Sequence, residues 1–209
     1  MKTMRAALKL IAAVSASVPT AALAHHVNDG RAAMNFAEGL WSGLAHPVVG
    51  LDHLVFILAA GLAAGALGLG LRMPALFIVA SMAGLGVHLM RINVPLAEAA
   101  VAGSILVLGL AIGSRSGFGT KIWMALFIVA GLFHGYAYGD SIVGASYPPL
   151  AGYLVGLGVV QGLLISLTHL AGRKLAEGAG PAVPEMRHLG ALLAVIGIVF
   201  FVVALIPGA

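Results

Sequence analysis

Six long apolar runs, separated by proline, glycine or polar residues, constrain this chain more than any other feature. The runs cover approximately residues 48–69, 74–93, 95–113, 122–139, 148–171 and 188–206. Each is close to the roughly 20 residues that an α-helix needs to cross a bilayer. Only 9% of the residues are charged, whereas a soluble domain has about 25%. We therefore predict an all-α, polytopic membrane protein with six transmembrane helices.

The first 24 residues have the pattern of a secretory signal peptide. Three basic residues within the first ten positions precede a short apolar core, and Ala22-Leu23-Ala24 supplies a small-x-small cleavage motif. The core is far too short to span a membrane. We predict that cleavage leaves 25–209 as a single membrane domain. Residues 27–45 mix charged and apolar positions, which favours a short amphipathic helix at the outer membrane surface.

The distribution of basic residues predicts the orientation of the chain. If the signal is removed on the periplasmic side, short loops on the inner side carry six basic residues and those on the outer side carry two. The inner six are Arg72, Arg115, Lys121, Arg173, Lys174 and Arg187. This bias obeys the positive-inside rule. It predicts a bacterial inner-membrane protein with both mature termini in the periplasm.

The same distribution limits the partners and cofactors of the protein. The net charge of +4 is spread over the ends of the apolar runs and forms no basic patch, so we expect a lipid bilayer and no nucleic acid as a partner. The chain has no cysteine, which excludes disulfides, thiolate zinc sites and iron–sulfur clusters. No Gly-Lys-Ser/Thr phosphate loop occurs. Any transport would therefore run on ion gradients or the membrane potential.

Asp52 and His53 are two ionisable residues inside the first apolar run. An ionisable side chain within a membrane span is costly and indicates a functional site. Pro47 suits the first position of a helix, because its missing N–H costs nothing there, and this predicts a helix that begins with His46 at its cap. Packing alone gives no reason for the Asp52-His53 pair.

Three histidines on different spans are predicted to share one depth. His53, His88 and His134 each lie about five residues from the outer end of their helix, or about 7–8 Å deep. Glu98 lies slightly nearer the surface, in the first turn of the third span. His88 alone could equally form a hydrogen bond between helices. Glu98 could equally be a stabilising charge at a helix N-terminus.

Imidazoles and carboxylates without thiolates suit the divalent ions Ni²⁺, Co²⁺, Cu²⁺ and Zn²⁺. His46 and His53 are seven residues apart, which is about 10 Å along a helix. They cannot share one ion unless the helix unwinds near Gly50. We therefore predict His46 as an outer ligand, with Asp52, His53 and His134 as an inner site. The ion would be cargo, and no resident cofactor is predicted.

These residues resemble the signature motifs of the HupE/UreJ family of nickel and cobalt permeases. The motifs are His46-Pro47-x-x-Gly50-x-Asp52-His53, Pro95-Leu96-x-Glu98 and Phe133-His134-Gly135-Tyr136-Ala137. The resemblance implies six spans, uptake of Ni²⁺ or Co²⁺, and a supply of metal to hydrogenase, urease or cobalamin-linked enzymes. It also implies metal roles for His46, Asp52, His53, Glu98 and His134. Tyr138 is a departure, because the family usually has a second histidine there and a phenol with a pKa near 10 is a poor ligand.

Two other functions fit the same residues. A membrane electron carrier could hold haem between opposed histidines on neighbouring helices. A membrane accessory protein could serve metalloenzyme maturation without transporting the ion. The first would give a coloured protein, and the second would fail to move metal into vesicles.

Overall fold

The structure is a computed structural model that describes residues 33–114, 118–179 and 184–206, and within these ranges the regular elements are all helices. They are α1 (Phe36–Val49), α2 (Leu51–Ala66), α3 (Arg72–Leu89), α4 (Ala97–Gly113), α5 (Thr120–Tyr138), a 3-10 turn (Gly139–Ser141), α6 (Tyr147–Ala179) and α7 (Pro184–Ala204). The predicted all-α class is confirmed. The predicted signal peptide lies outside the described residues.

Several of these helices can cross a membrane. Within the described ranges, α3, α5, α6 and α7 are each long and apolar enough to span, and α1 with α2 would add a fifth span if the bent pair counts as one. Helix α4 is apolar but has 17 residues, or about 26 Å, compared with a hydrocarbon core of about 30 Å. The chain is thus a multi-pass membrane protein. The number of six crossings stays a prediction.

The predicted start of the first span is wrong. Helix α1 continues through His46 and Pro47 to Val49, and the break comes at Gly50, where α1 and α2 meet at 76°. Pro47 has no N–H for the last turn of α1, which weakens the helix there. Gly50 then adopts an extended conformation and caps both helices. Its N–H donates to the His46 carbonyl at 2.9 Å, which ends α1, and its carbonyl accepts from the N–H of Leu54 at 2.9 Å, which begins α2.

Helix α1 stands where the sequence predicted a short amphipathic helix over 27–45, but it begins and ends later. Its buried face includes Gly39 and Gly43, which lie directly against the backbone of α6. A methyl group at either position would overlap with the carbonyl oxygen of Pro149 or Tyr153. Small residues let two helix backbones approach closely. As a result, α1 is fixed along the first half of α6.

Three close helix associations build the bundle: α1 and α2 with α6, α3 with α5, and α4 with α7. Glycines lie at each of them. The contacts are Gly61 with Ile165, Gly65 with His169, Gly131 with Phe77, Gly135 with Ser81, Gly109 with Ala194, and Gly190 with Gly113. Their order along the chain makes the first two associations parallel and the third antiparallel. This arrangement fits a chain that reverses direction from one helix to the next.

Five of the six basic residues in the described part of the chain gather at one end of the bundle, which we call the basic end. Cavities there are lined by the end of α2, the start of α3, the start of α5, the end of α6 and the start of α7. The basic end carries Arg72, Lys121, Arg173, Lys174 and Arg187. Arg91 follows the other end of α3. Arg31 and Arg115, which were counted in the charge distribution that predicts the orientation, lie outside the described residues.

The glycine contacts predict how the bundle responds to a single methyl group. We expect Gly135→Ala to lower the thermal midpoint of the detergent-purified protein by roughly 2–10 °C, because the added methyl overlaps with the Ser81 carbonyl and overpacking costs about 1–3 kcal/mol. The matched control is Gly162→Ala, since nothing lies within 4 Å of the position of that methyl. Equal midpoints for the two variants would contradict the close approach of α3 and α5.

Candidate metal site

Helices α2 and α5 bring two of the predicted histidines into direct contact. The Nδ1 atoms of His53 and His134 are 2.8 Å apart, and both side chains are buried, with 3% and 0% of their surface exposed. The sequence predicted that these residues share one depth, and the structure places them together. One nitrogen of this pair must donate and the other must accept.

Ser104 on α4 decides which histidine donates. Its single hydroxyl proton goes to the Val101 carbonyl at 2.6 Å, so its oxygen accepts from Nε2–H of His134 at 3.0 Å. A neutral His134 protonated at Nε2 has its lone pair on Nδ1. The bond between the two rings is therefore donated by Nδ1–H of His53. This leaves the lone pair of His53 on Nε2, the form in which imidazole binds a metal ion.

His46, at the end of α1, is held by an equivalent arrangement. Its Nδ1 lies 2.9 Å from the Tyr153 hydroxyl and 2.8 Å from the hydroxyl of Ser141. Tyr153 donates its own proton to the Tyr138 carbonyl at 2.7 Å, so its oxygen accepts from Nδ1–H of His46. The lone pair of His46 is then also on Nε2. Such hydrogen bonds fix the tautomer and orientation of metal-ligating histidines.

The break at Gly50 brings these two imidazoles close to each other. The ring centres of His46 and His53 are 5.8 Å apart, whereas seven residues of straight helix would separate them by about 10 Å. Two imidazoles that share one ion at about 2.1 Å have ring centres roughly 4.5–6.5 Å apart. The unwinding that the sequence argument required for a shared ion is thus present.

Asp52 places a carboxylate beside these rings. It is half-buried in the first turn of α2, and its Oδ1 accepts a hydrogen bond from the backbone N–H of His53 at 2.8 Å. The N-terminus of a helix favours negative charge through its unpaired N–H groups. A carboxylate at this position can offset the charge of a cation held by neutral imidazoles.

Aromatic side chains enclose the cluster. The Tyr138 ring lies 4.3 Å from the ring of His53 and 5.1 Å from that of His46, measured between centres. Phe56 and Phe77 flank His134 at 4.6 Å and 5.6 Å. Buried rings lower the local dielectric constant and strengthen electrostatic interactions inside the cluster. The site is therefore a polar group of side chains within an apolar wall.

His88 does not join this cluster, contrary to the prediction of a common depth. Its Nε2 lies 3.3 Å from Oδ1 of Asp140, and its ring packs on Gly139, beyond the histidine pair toward the outer end of α5. The reason is the register of the two parallel helices. Ser81 contacts Gly135, so a residue two turns further along α3 meets the end of α5.

Glu98 is exposed in the first turn of α4, as the sequence placed it. In the described part of the chain, no three histidine, aspartate or glutamate side chains already surround one point at metal-ligand distances. The metal roles assigned from the sequence therefore stay predictions. The residues concerned are His46, Asp52, His53, His88, Glu98 and His134.

Three contributors to the site were missed by the sequence argument: Ser104, Ser141 and Tyr153. The predicted site consists of ionisable groups in the apolar runs, whereas these residues act through neutral hydroxyls. Serine and tyrosine are common in membrane helices and give no periodic signal. The sequence does not distinguish these hydroxyls from others in the apolar runs, such as Ser81 and Thr168.

The fold and the buried cluster define a multi-pass helical membrane protein with a polar site made largely of histidines. The family model described as HupE / UreJ protein matches residues 12–200, and the chain belongs to this family. A relative named Protein HupE, from Rhizobium leguminosarum bv. viciae, is 31% identical over 156 residues, covering 70% of this chain and 81% of the relative. No solved structure gives a significant match. Family membership indicates a nickel/cobalt transporter or accessory protein.

The hydroxyl–imidazole contacts predict the tautomers directly. In ¹⁵N spectra of the metal-free, histidine-labelled protein, we expect His134 to be protonated at Nε2 and both His46 and His53 at Nδ1. Ser104→Ala removes the acceptor for His134 and should change the signals of His134 and His53, but not those of His46. A spectrum of His134 protonated at Nδ1 in the unsubstituted protein would contradict this assignment.

Proposed function

We propose that this chain is an inner-membrane secondary permease that carries a divalent transition-metal ion, preferably Ni²⁺ and next Co²⁺, from the periplasm to the cytoplasm. The observation that carries the proposal is the convergence of two buried imidazoles and a carboxylate. The ring centres of His46 and His53 are 5.8 Å apart, each ring forms a hydrogen bond through Nδ1, and Asp52 lies beside them.

A transport site must bind well enough for an ion to enter and weakly enough for it to leave. In this proposal the ion draws Asp52, His53 and His46 together and keeps some of its water. His134 then acts by positioning His53, rather than as the inner ligand that the sequence predicted.

The proposed path begins at the end of the bundle opposite the basic end. Glu98 and His88 are proposed as the first groups that a hydrated cation meets there, with Asp140 beside His88. Six crossings, both mature termini in the periplasm, and the basic end in the cytoplasm complete this topology. A divalent ion that moves inward down 100 mV gains about 4.6 kcal/mol, at about 2.3 kcal/mol per charge.

The alternative within the same family is an accessory protein that passes metal to a maturation system for nickel enzymes. The histidine cluster could serve such a protein equally well, so vesicle uptake has to separate the two. The haem alternative has less support. The imidazoles of His53 and His134 are in direct hydrogen-bond contact at 2.8 Å, which leaves no room for a macrocycle between them.

Substitution of the central pair tests the proposal. We expect Asp52→Asn and His53→Ala each to lower ⁶³Ni²⁺ uptake into reconstituted vesicles by more than the ~10–100-fold that is typical for the hydrogen-bond partners of metal-ligating histidines. His188→Ala is the matched control, because that histidine is exposed at the basic end. Unchanged uptake in normally inserted variants would refute the permease. Metal binding without uptake by the unsubstituted protein would favour the accessory function.

The geometry at Gly50 gives a second test. Gly50→Ala should preserve the chain break, because φ −72° and ψ 99° are accessible to alanine. The new Cβ would lie 2.8 Å from Cδ2 of His53 and should push the ring away. Calorimetry should then show Ni²⁺ binding weakened by roughly 3–10-fold, as expected if moving the His53 ring costs about 1 kcal/mol of binding free energy. Gly86→Ala, with nothing within 4 Å of its methyl position, is the control.

A further inference from the structure

Tyr138 carries a buried hydroxyl that nothing in the described part of the chain satisfies. The side chain is completely buried, and its oxygen has no hydrogen-bond partner there. An unpaired buried hydroxyl costs about 1–3 kcal/mol. Native proteins rarely leave such a group unpaired, and an unseen water or ion is a common explanation.

The surroundings of this hydroxyl indicate which ligand it serves. The Tyr138 ring packs against both His46 and His53, and Asp52 and Tyr153 lie within electrostatic range of its hydroxyl. The backbone of the same residue is fixed, because its carbonyl accepts the hydrogen bond from Tyr153. The ring that carries the unpaired hydroxyl is therefore held against two of the proposed ligands, His46 and His53, with Asp52 nearby.

Tyr136, two residues earlier on the same helix, provides a contrast. Its hydroxyl donates to the Ile92 carbonyl at 2.9 Å and accepts from the N–H of Val94 at 3.1 Å. That tyrosine secures the chain between α3 and α4, and its polar group is fully used. A structural role thus explains Tyr136 but leaves the hydroxyl of Tyr138 unexplained.

The chemistry of a neutral phenol limits what Tyr138 can do. A phenol that keeps its proton is a poor direct metal ligand, but its oxygen can accept a hydrogen bond and its proton can be donated. Water bound to a divalent cation is polarised and is a strong donor. The phenol is thus suited to hold a water molecule that stays on the ion.

We propose that the Tyr138 hydroxyl accepts a hydrogen bond from a water ligand of the divalent ion at His46, Asp52 and His53, so that the cargo passes this site partly hydrated. This inference rests on the proposed function. Two imidazoles and one carboxylate fill only part of a six-coordinate shell. Retained water lowers the cost of dehydration on binding and eases release toward the cytoplasm. Tyr138 would therefore select an ion by its hydrated form.

Calorimetry of Ni²⁺ binding tests the role of this hydroxyl. We expect Tyr138→Phe to bind Ni²⁺ roughly 3–30-fold more weakly, the loss of one hydrogen bond to a charged group. The metal-free variant should melt at the same temperature or higher, because the apo protein loses no hydrogen bond. The control Tyr136→Phe should do the opposite, with a lower melting temperature and unchanged affinity. Affinity in Tyr138→Phe equal to that of the unsubstituted protein would overturn the inference.

Spectroscopy separates a water-mediated contact from direct ligation. Binding of Ni²⁺ to the unsubstituted protein should produce no tyrosinate band in the ultraviolet difference spectrum, since the phenol keeps its proton. A tyrosinate band that disappears in Tyr138→Phe would show direct ligation and overturn the inference. Tyr138→His should raise the imidazole count by one in X-ray absorption and bind more tightly. If the unsubstituted protein binds no ion at all, the proposed function itself fails.

Discussion

The break in the helix at Gly50 is the constraint on which the rest of the site depends. A continuous helix from Phe36 to Ala66 would separate His46 and His53 by about 10 Å, whereas the 76° bend brings their rings to 5.8 Å. The missing side chain of Gly50 also leaves space for the His53 ring. The bend therefore sets the distance between the two imidazoles, and the glycine at the bend leaves the space that the His53 ring occupies.

Hydroxyl groups on neighbouring helices determine which nitrogen of each imidazole carries the proton. Ser104 acts on His53 through His134, and Tyr153 acts directly on His46. In each case a hydroxyl whose proton is already used forces the imidazole to donate from a defined nitrogen. Buried polar networks of this kind are stable only when their members are satisfied. The Tyr138 hydroxyl is the exception within the cluster, which is why we propose that it contacts water on a bound ion.

The glycines explain why these contacts can form at all. Helix backbones in this bundle touch at Gly43, Gly65 and Gly135, and each contact sets the register of one helix against another. The register of α3 against α5 moved His88 away from the level predicted for it and paired it with Asp140. Sequence periodicity cannot supply such a register, because it gives the face of a helix but not the height at which its neighbour packs.

The sequence by itself determined the helical class and the multi-pass membrane character. It also singled out Asp52, His53 and His134 as candidate site residues, because an ionisable group in an apolar run has few structural explanations. Only the tertiary structure decided the bend at Gly50, the hydrogen bonds that His134 donates to Ser104 and His46 donates to Tyr153, and the separation of His88 from the pair. The physical reason is the separation along the chain over which each property acts. Hydropathy and helix geometry are local properties of the chain, whereas register and hydrogen-bond direction arise only when distant segments come into contact.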